Sequence, residues 1–554
     1  MRKLLLPALI IGLIYILPHI LFISEEGRNY RLFFKTDEDN VVYAARVREV
    51  YDGHYLIADP FTYENKQRPY VRPFLSELLV GMSGKALGLS IDNLFILGDF
   101  IFPVIIFYLL FYFLKLLTKS VPLSLLGSTA ILLDALYSLI ALSKLNLSDS
   151  FSTFSRPIAP QFHYIFFVLC LIFIYRSLVN YKARDTLLAG FFLGLLFYMY
   201  PYFWTYIFAG LGVLSLYLIF KKEFKRTKII LFILTGAIVI SIPYWVNYMR
   251  LLDLPFYNEI ATRFFRQSHQ PIISKLSVLN LVIFSAFYKK RDFNFFFLLS
   301  FLAGSVLCMN QQLLTGWIFE ADQWHYYADA QMFVVTGIVL LERLSRNMRF
   351  KERFIRLLLV ASLTFSISAR VIVHIYSYQK KKPAQHQEQE LYGALAWLEN
   401  NTRKDDVVLT SNTVSLLIPA HTHNNIYWSD YMIECPHSDK DILERFFLLA
   451  RLLGMDENDV ISHILTYRID GHNDFFGIRY REHADLPPDL YDYIIRRYRA
   501  FKEEDIKTAL TRFRADYLFY GPNERLLSKG KFRDEPFLYK VYDSKGIQIY
   551  KIIR

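Results

Sequence analysis

The chain has 554 residues, 54% of them hydrophobic and 17% aromatic, with a mean hydropathy of +0.24 and a formal net charge of +12. One soluble core cannot bury that much apolar mass, which argues against a soluble globular class. The positive charge lies in short loops between apolar runs rather than on a nucleic-acid-binding face, and the three Cys, with Cys170 and Cys308 inside apolar segments, give neither a disulfide framework nor a Cys-based zinc site.

The chain opens Met1-Arg2-Lys3 and runs apolar to about Ile23. That run is long for the core of a signal peptide, and no small-x-small cleavage site precedes Ser24-Glu25-Glu26, so a retained helix is expected. A membrane span needs about 20 apolar residues. Candidate spans lie near 4–23, 93–114, 121–143, 160–175, 186–200, 203–220, 229–247, 276–288, 293–310, 329–342 and 355–378, about eleven in all.

With the N-terminus placed in the cytoplasm, the loops on that side carry Lys115 and Lys119, then Arg176, Lys182 and Arg184. They continue with Lys221, Lys222, Lys225, Arg226 and Lys228, then Lys289-Lys290-Arg291, and last the six basic residues from Arg343 to Arg356. All five loops are basic, so the expected topology is N-in and C-out, in a multi-pass protein of the plasma membrane. Residues 1–378 form the expected membrane domain, including a long first outer loop over about 24–92.

Lys380-Lys381-Lys382-Pro383 reads as a linker, after which 379–554 is long enough for a soluble domain. Helical periodicity over 390–400, 441–453 and 488–513 alternates with strand-like Val407-Val408-Leu409-Thr410 and Tyr517-Leu518-Phe519-Tyr520. Residues 414–420 read as a short helix, and alternation around Asp543-Ser544-Lys545-Gly546 predicts a terminal hairpin. The expected fold class is therefore a polytopic α-helical membrane protein with a C-terminal extracytoplasmic α/β domain.

Chemistry-bearing residues gather in the outer loops. The first carries Lys35-Thr36-Asp37-Glu38-Asp39-Asn40, then a helix-like Val41-Val42-Tyr43-Ala44-Ala45-Arg46-Val47 with Asp39 or Asn40 near its cap. Three acids beside a membrane surface are costly to assemble without a use or a cation, although a solvated loop has the same appearance. No phosphate-binding Gly-x-x-x-x-Gly-Lys loop, His-Glu-x-x-His helix or Gly-x-Ser-x-Gly elbow occurs.

This arrangement resembles the GT-C superfamily of membrane glycosyltransferases, and within it the protein mannosyltransferases and aminoarabinose transferases. Their first outer loop carries an Asp-Glu pair followed by Tyr and Ala on a helix, matched by Asp37-Glu38 and Tyr43-Ala44-Ala45-Arg46. Gly53-His54-Tyr55 and Arg72-Pro73-Phe74-Leu75 are similar to the family's Gly-containing turn and its basic-Pro-apolar segment, where Lys is the commoner cation. Asp149 to Arg156 resembles an acid followed by a Ser-Arg pair, with Pro157 and Pro160 as departures. Ala396 to Asn400 and Tyr520 to Arg525 resemble the soluble domains of uncharacterised bacterial and archaeal GT-C-like proteins.

The resemblance implies a GT-C-like fold and transfer of a sugar from a polyprenyl-phosphate donor in the lipid bilayer to a protein, lipid or glycan acceptor outside, with no nucleic acid involved. Displacement at the anomeric carbon needs a base for the acceptor proton and cations for the leaving phosphate. Asp37 heads the acid pair and is the first candidate base, with Asp39 and Glu38 as rivals. Arg72, Arg156 and Arg46 are candidate phosphate cations; Arg46 also reads as a headgroup anchor, and Tyr43 as a substrate contact. Asp37-Glu38-Asp39 spells the Asp-x-Asp of metal-dependent transferases, so a divalent metal stays open as a cofactor.

The outer loop 311–329 holds Glu320, Asp322, Trp324 and His325, which read either as a sugar site or as an interfacial belt. His163 opens the fourth span and reads as packing or as a substrate contact. Sequons occur at Asn146 and Asn400. Two other classes compete with the enzyme: a transporter or flippase, for which Asp134 is the clearest mid-span acid, and a non-catalytic scaffold with the same fold.

Overall fold

The computed structural model describes residues 2–135, 137–138, 151–346, 351–466, 472–480, 488–532 and 535–553. The sequon at Asn146 and the acid Asp149 lie outside the described residues. The chain divides into two compact units: Met1–Asn40, Asp92–Trp245 and Gln267–Gln385 form the first, and Val41–Ile91, Val246–Arg266 and His386–Arg554 the second.

The first unit is helical because its apolar runs can satisfy their backbone groups in lipid only within the helix itself. Helices lie at each expected span among the described residues, including Arg2–Glu26, Ile91–Thr118, His163–Asn180, Pro201–Phe220, Phe224–Leu252 and Lys351–Gln389. Among the described residues six helices are long and apolar enough to cross a membrane, whereas Val121–Leu132, Lys275–Phe287 and Phe293–Met309 are apolar but shorter. The short ones are capped at their starts: Ser120, Ser274 and Asp292 each accept a backbone N–H from three residues on. Small residues let helices close in. A Cβ on Gly304 would stand 2.8 Å from the backbone nitrogen of Gly210 on the helix Pro201–Phe220.

Lys380-Lys381-Lys382-Pro383 is not a linker. It continues the 39-residue helix Lys351–Gln389. Pro383 removes one backbone donor, but side-chain contacts fix this stretch. Lys382 pairs with Glu25 at 2.6 Å, Lys381 Nζ donates to the Thr36 carbonyl at 2.9 Å, and Gln385 Oε1 accepts the Lys35 N–H at 3.1 Å.

The second unit is built on a five-stranded mixed sheet. Its strands are β1 (Val407–Leu409), β2 (Asn425–Ile426), β3 (Tyr517–Tyr520), β4 (Leu538–Ser544) and β5 (Ile547–Ile552), in the order β2-β1-β3-β5-β4. β1 runs parallel to β2 and β3, whereas β5 is antiparallel to β3 and β4. β1 and β3 are buried along their length, as their unbroken apolar runs require. Lys545 and Gly546 both have positive φ, 49° and 75°, which lets a two-residue turn join β4 to β5 with the twist of the strands.

The helix Asp39–Asp52 starts in the last residues of the first unit and continues into the second. A second helix in the long segment between the first two apolar helices, Leu75–Ala86, has Glu77 in its first turn.

Candidate functional site

The acids that follow the first helix are shaped by the start of the helix Asp39–Asp52. Asp37 Oδ1 accepts the Asp39 N–H at 3.0 Å, and the Asp37 carbonyl accepts the Asn40 N–H at 3.1 Å, so Asp37 terminates the helix as a cap would. Within the first unit the Arg156 guanidinium meets both acids. Its Nη1 pairs with Asp39 Oδ2 and lies 3.5 Å from Asp37 Oδ1, while Nη2 donates to the Tyr327 hydroxyl at 3.1 Å. The Asp37 side chain is 41% exposed and that of Asp39 30%, so both remain open to a ligand. Glu38 is exposed.

The two segments are also joined through their backbones. Thr36, 3% exposed, donates its hydroxyl to the Ser155 carbonyl at 2.6 Å and accepts from Asn40 Nδ2 at 3.0 Å. Lys381 holds the Thr36 carbonyl from the helix Lys351–Gln389. Tyr327, Thr36 and Lys381 were not legible as site residues, because their roles depend on partners more than a hundred positions away.

The other candidates fall elsewhere. Arg46, 4% exposed, bonds Glu77 and the Pro73 carbonyl in the second unit, so it is a buried structural cation rather than a headgroup anchor. Arg72 pairs with Glu434 in the same unit, and Tyr43 is half-buried there. In the first unit His163 is buried, with its ring 5.2 Å from that of Tyr200.

The four residues of the 311–329 loop diverge. Tyr202 donates to Glu320 at 2.9 Å, and Asp322 is exposed. Trp324 is buried, its indole N–H 3.0 Å from both the Tyr202 carbonyl and Thr205 Oγ1. His325 lies 3.4 Å from Asp329, which accepts from Ser277 at 2.7 Å. Trp324 thus packs against the Pro201–Phe220 helix and offers no free donor.

Among the described residues no three His, Cys, Asp or Glu side chains group as a metal site. Asp37 and Asp39 share a guanidinium and a helix start.

In the second unit lies a buried pair that the sequence did not announce. His437 Nε2 is 2.7 Å from Asp59 Oδ2, and both side chains are fully buried. Thr62 and the N–H groups of Phe61 and Thr62 also donate to Asp59. Burial alone would raise its carboxyl, but His437 and Thr62 together hold it well below the usual carboxylate range. Burial lowers the imidazole of His437.

No family model matches the chain, and no curated relative does. Among solved structures, ArnT from Cupriavidus metallidurans bound to undecaprenyl phosphate is similar over 97% of this chain and 97% of its own, at 9% identity and a TM-score of 0.52. The Archaeoglobus fulgidus oligosaccharyltransferase tethered with an acceptor peptide matches 98% of this chain and 74% of its own, at 12% identity and a TM-score of 0.47. The likeness to ArnT is one of fold, and it agrees with the GT-C-like fold that the resemblance of the loop motifs implied for this membrane chain.

Proposed function

We propose that the chain is a membrane glycosyltransferase that moves a sugar, with inversion, from a polyprenyl-phosphate donor to an extracytoplasmic acceptor. The observation that carries this reading is the meeting of Asp37, Asp39 and Arg156 where the first outer loop leaves the membrane helices. The ArnT-like fold supports a lipid-phosphate donor, since that structure holds undecaprenyl phosphate.

In this reading Asp37 takes the proton of the acceptor as it attacks the anomeric carbon from the face opposite the phosphate. The C–O bond to the phosphate breaks as the new glycosidic bond forms, and polyprenyl phosphate leaves. Arg156, steadied by Asp39 and Tyr327, meets the charge that develops on the leaving phosphate. Glu38, Arg72, Tyr43, His163, Glu320, Asp322 and His325 stay secondary candidates. The arrangement proposed with it is eleven spans, a cytoplasmic N-terminus and an extracytoplasmic domain over 379–554.

The transporter reading draws no support from Asp134. Its Oδ2 accepts from Ser152 Oγ at 2.9 Å and from the Thr153 N–H at 2.6 Å, and it faces Arg370 at 3.3 Å, so the acid is part of a buried structural network.

The test is transfer of radiolabelled sugar from a panel of polyprenyl-phosphate donors in proteoliposomes, wild type against Asp37→Asn. General-base help of about 10²–10⁴ predicts at least a hundredfold loss with donor binding intact. Unchanged transfer moves the base to Asp39 or Glu38. Absence of transfer from every donor favours the transporter or scaffold instead.

A further inference from the structure

The first two membrane helices share a buried hydrogen bond that the proposed chemistry does not use. His19 on Arg2–Glu26 and Asp99 on Ile91–Thr118 are each 1% exposed, with His19 Nε2 2.9 Å from Asp99 Oδ2. A carboxylate inside a helical membrane unit is expensive, and one that persists there usually serves a site. The second oxygen shows which. Asp99 Oδ1 accepts from Gln161 Nε2 at 2.8 Å, and Gln161 is fully buried.

The same Gln161 nitrogen donates to the Phe154 carbonyl at 2.6 Å, and the Gln161 backbone N–H donates to the Arg156 carbonyl at 3.3 Å. The carbonyl between them, that of Ser155, accepts from Thr36. Three consecutive carbonyls, 154 to 156, are thus held by Gln161, Thr36 and Gln161 again. The backbone that carries the Arg156 guanidinium is fixed on both sides.

We infer that Asp99 and Gln161 are positioning residues: Asp99, steadied by His19, orients the Gln161 amide, and Gln161 sets the backbone of Arg156 so that its guanidinium meets the donor phosphate. This inference rests on the reading of Arg156 as the phosphate cation. Neither residue touches the reacting atoms. Their effect passes through Arg156 alone, and that separates a positioning role from general support of the fold.

The test is a double-mutant cycle read by binding of tritiated undecaprenyl phosphate to the full-length protein in nanodiscs. Gln161→Leu and Asp99→Leu are expected to weaken binding about tenfold in the wild-type background and not at all in the Arg156→Ala background. Asp99→Asn keeps a carbonyl for Gln161 and an N–H for His19, and is expected to stay within threefold of wild type. Should Gln161→Leu fail to fold, Gln161→Asn, shorter by one methylene and still polar, carries the same cycle.

Equal weakening in both backgrounds, or none in the wild type, overturns the positioning role while leaving Arg156 as the phosphate cation. If Arg156→Ala binds as the wild type does, or the wild type does not bind, the reading of the site fails first, and this inference falls with it.

Discussion

Asp59 shows how much one buried carboxylate can decide. It takes the Phe61 and Thr62 N–H groups, the Thr62 hydroxyl and the His437 ring in a place that water does not reach. Because its carboxyl is held below the usual range, the stability it contributes is fully present above about pH 4, the ordinary value of an Asp. It is lost as the pH falls from there through the depressed value, since protons then bind the unfolded chain first and the folded one later. Asp59→Ala leaves several buried donors unmatched, at about 1–3 kcal/mol. The expected result is a lower thermal midpoint at pH 7 and a flatter dependence on pH below about 4, measured by intrinsic fluorescence in detergent. An unchanged acid limb in the mutant would assign that dependence to other carboxylates.

Helices meet most closely where a side chain is missing. Gly304 and Gly210 leave no room for a Cβ between Phe293–Met309 and Pro201–Phe220, whereas a Cβ on Gly212 would meet nothing within 4 Å. Gly304→Leu is expected to cost at least about 1–3 kcal/mol through overpacking. Gly212→Ala should be neutral or slightly stabilising, since Ala is the better helix former. Thermal unfolding of the two variants in one detergent checks both expectations, and equal midpoints would mean that the helices part without cost.

Helices and strands were legible because each rests on a local pattern. Apolar length marked the spans, and the runs Val407–Leu409 and Tyr517–Tyr520 marked two buried strands. The helical Lys-Lys-Lys-Pro stretch was not legible, because Glu25, Thr36 and Lys35 fix it from the other end of the unit. The helix Leu75–Ala86 was likewise hidden inside a segment that reads as loop. Within the candidate site the acids and Arg156 were singled out through their resemblance to a family. Thr36, Gln161, Asp99 and His19 were not, since Thr36 bonds a carbonyl 119 positions away and Asp99 reaches His19 and Gln161 across 80 and 62 positions. Trp324 was misleading because an indole beside acids reads as a sugar platform until its N–H is found on Tyr202 and Thr205.

For the whole molecule, topology is the property most open to a direct test. The three native cysteines are buried, so a single introduced thiol can report its side of the membrane. Lys182 and Lys404 are both exposed. With the N-terminus inside, a membrane-impermeant maleimide added to intact cells should label Lys404→Cys and spare Lys182→Cys until the membrane is opened. Labelling in the reverse order would place the acidic loop on the cytoplasmic side and remove the basis for an outer-leaflet donor.

The long helix Lys351–Gln389 has a consequence for the depth at which such an enzyme works. From Arg356 to Lys380 it makes 24 steps, about 36 Å at about 1.5 Å each, against a hydrocarbon layer of about 30 Å. Cations bracket that stretch at both ends, and the upper group includes the lysine that holds the Thr36 carbonyl. With the N-terminus inside, the bracket would work as a ruler that sets the acidic loop at the level of the outer phosphates, with a few ångströms to spare for tilt. In a bilayer thicker than that allowance, the donor's phosphate and Arg156 would come to lie at different heights, and mismatch alone would slow the reaction.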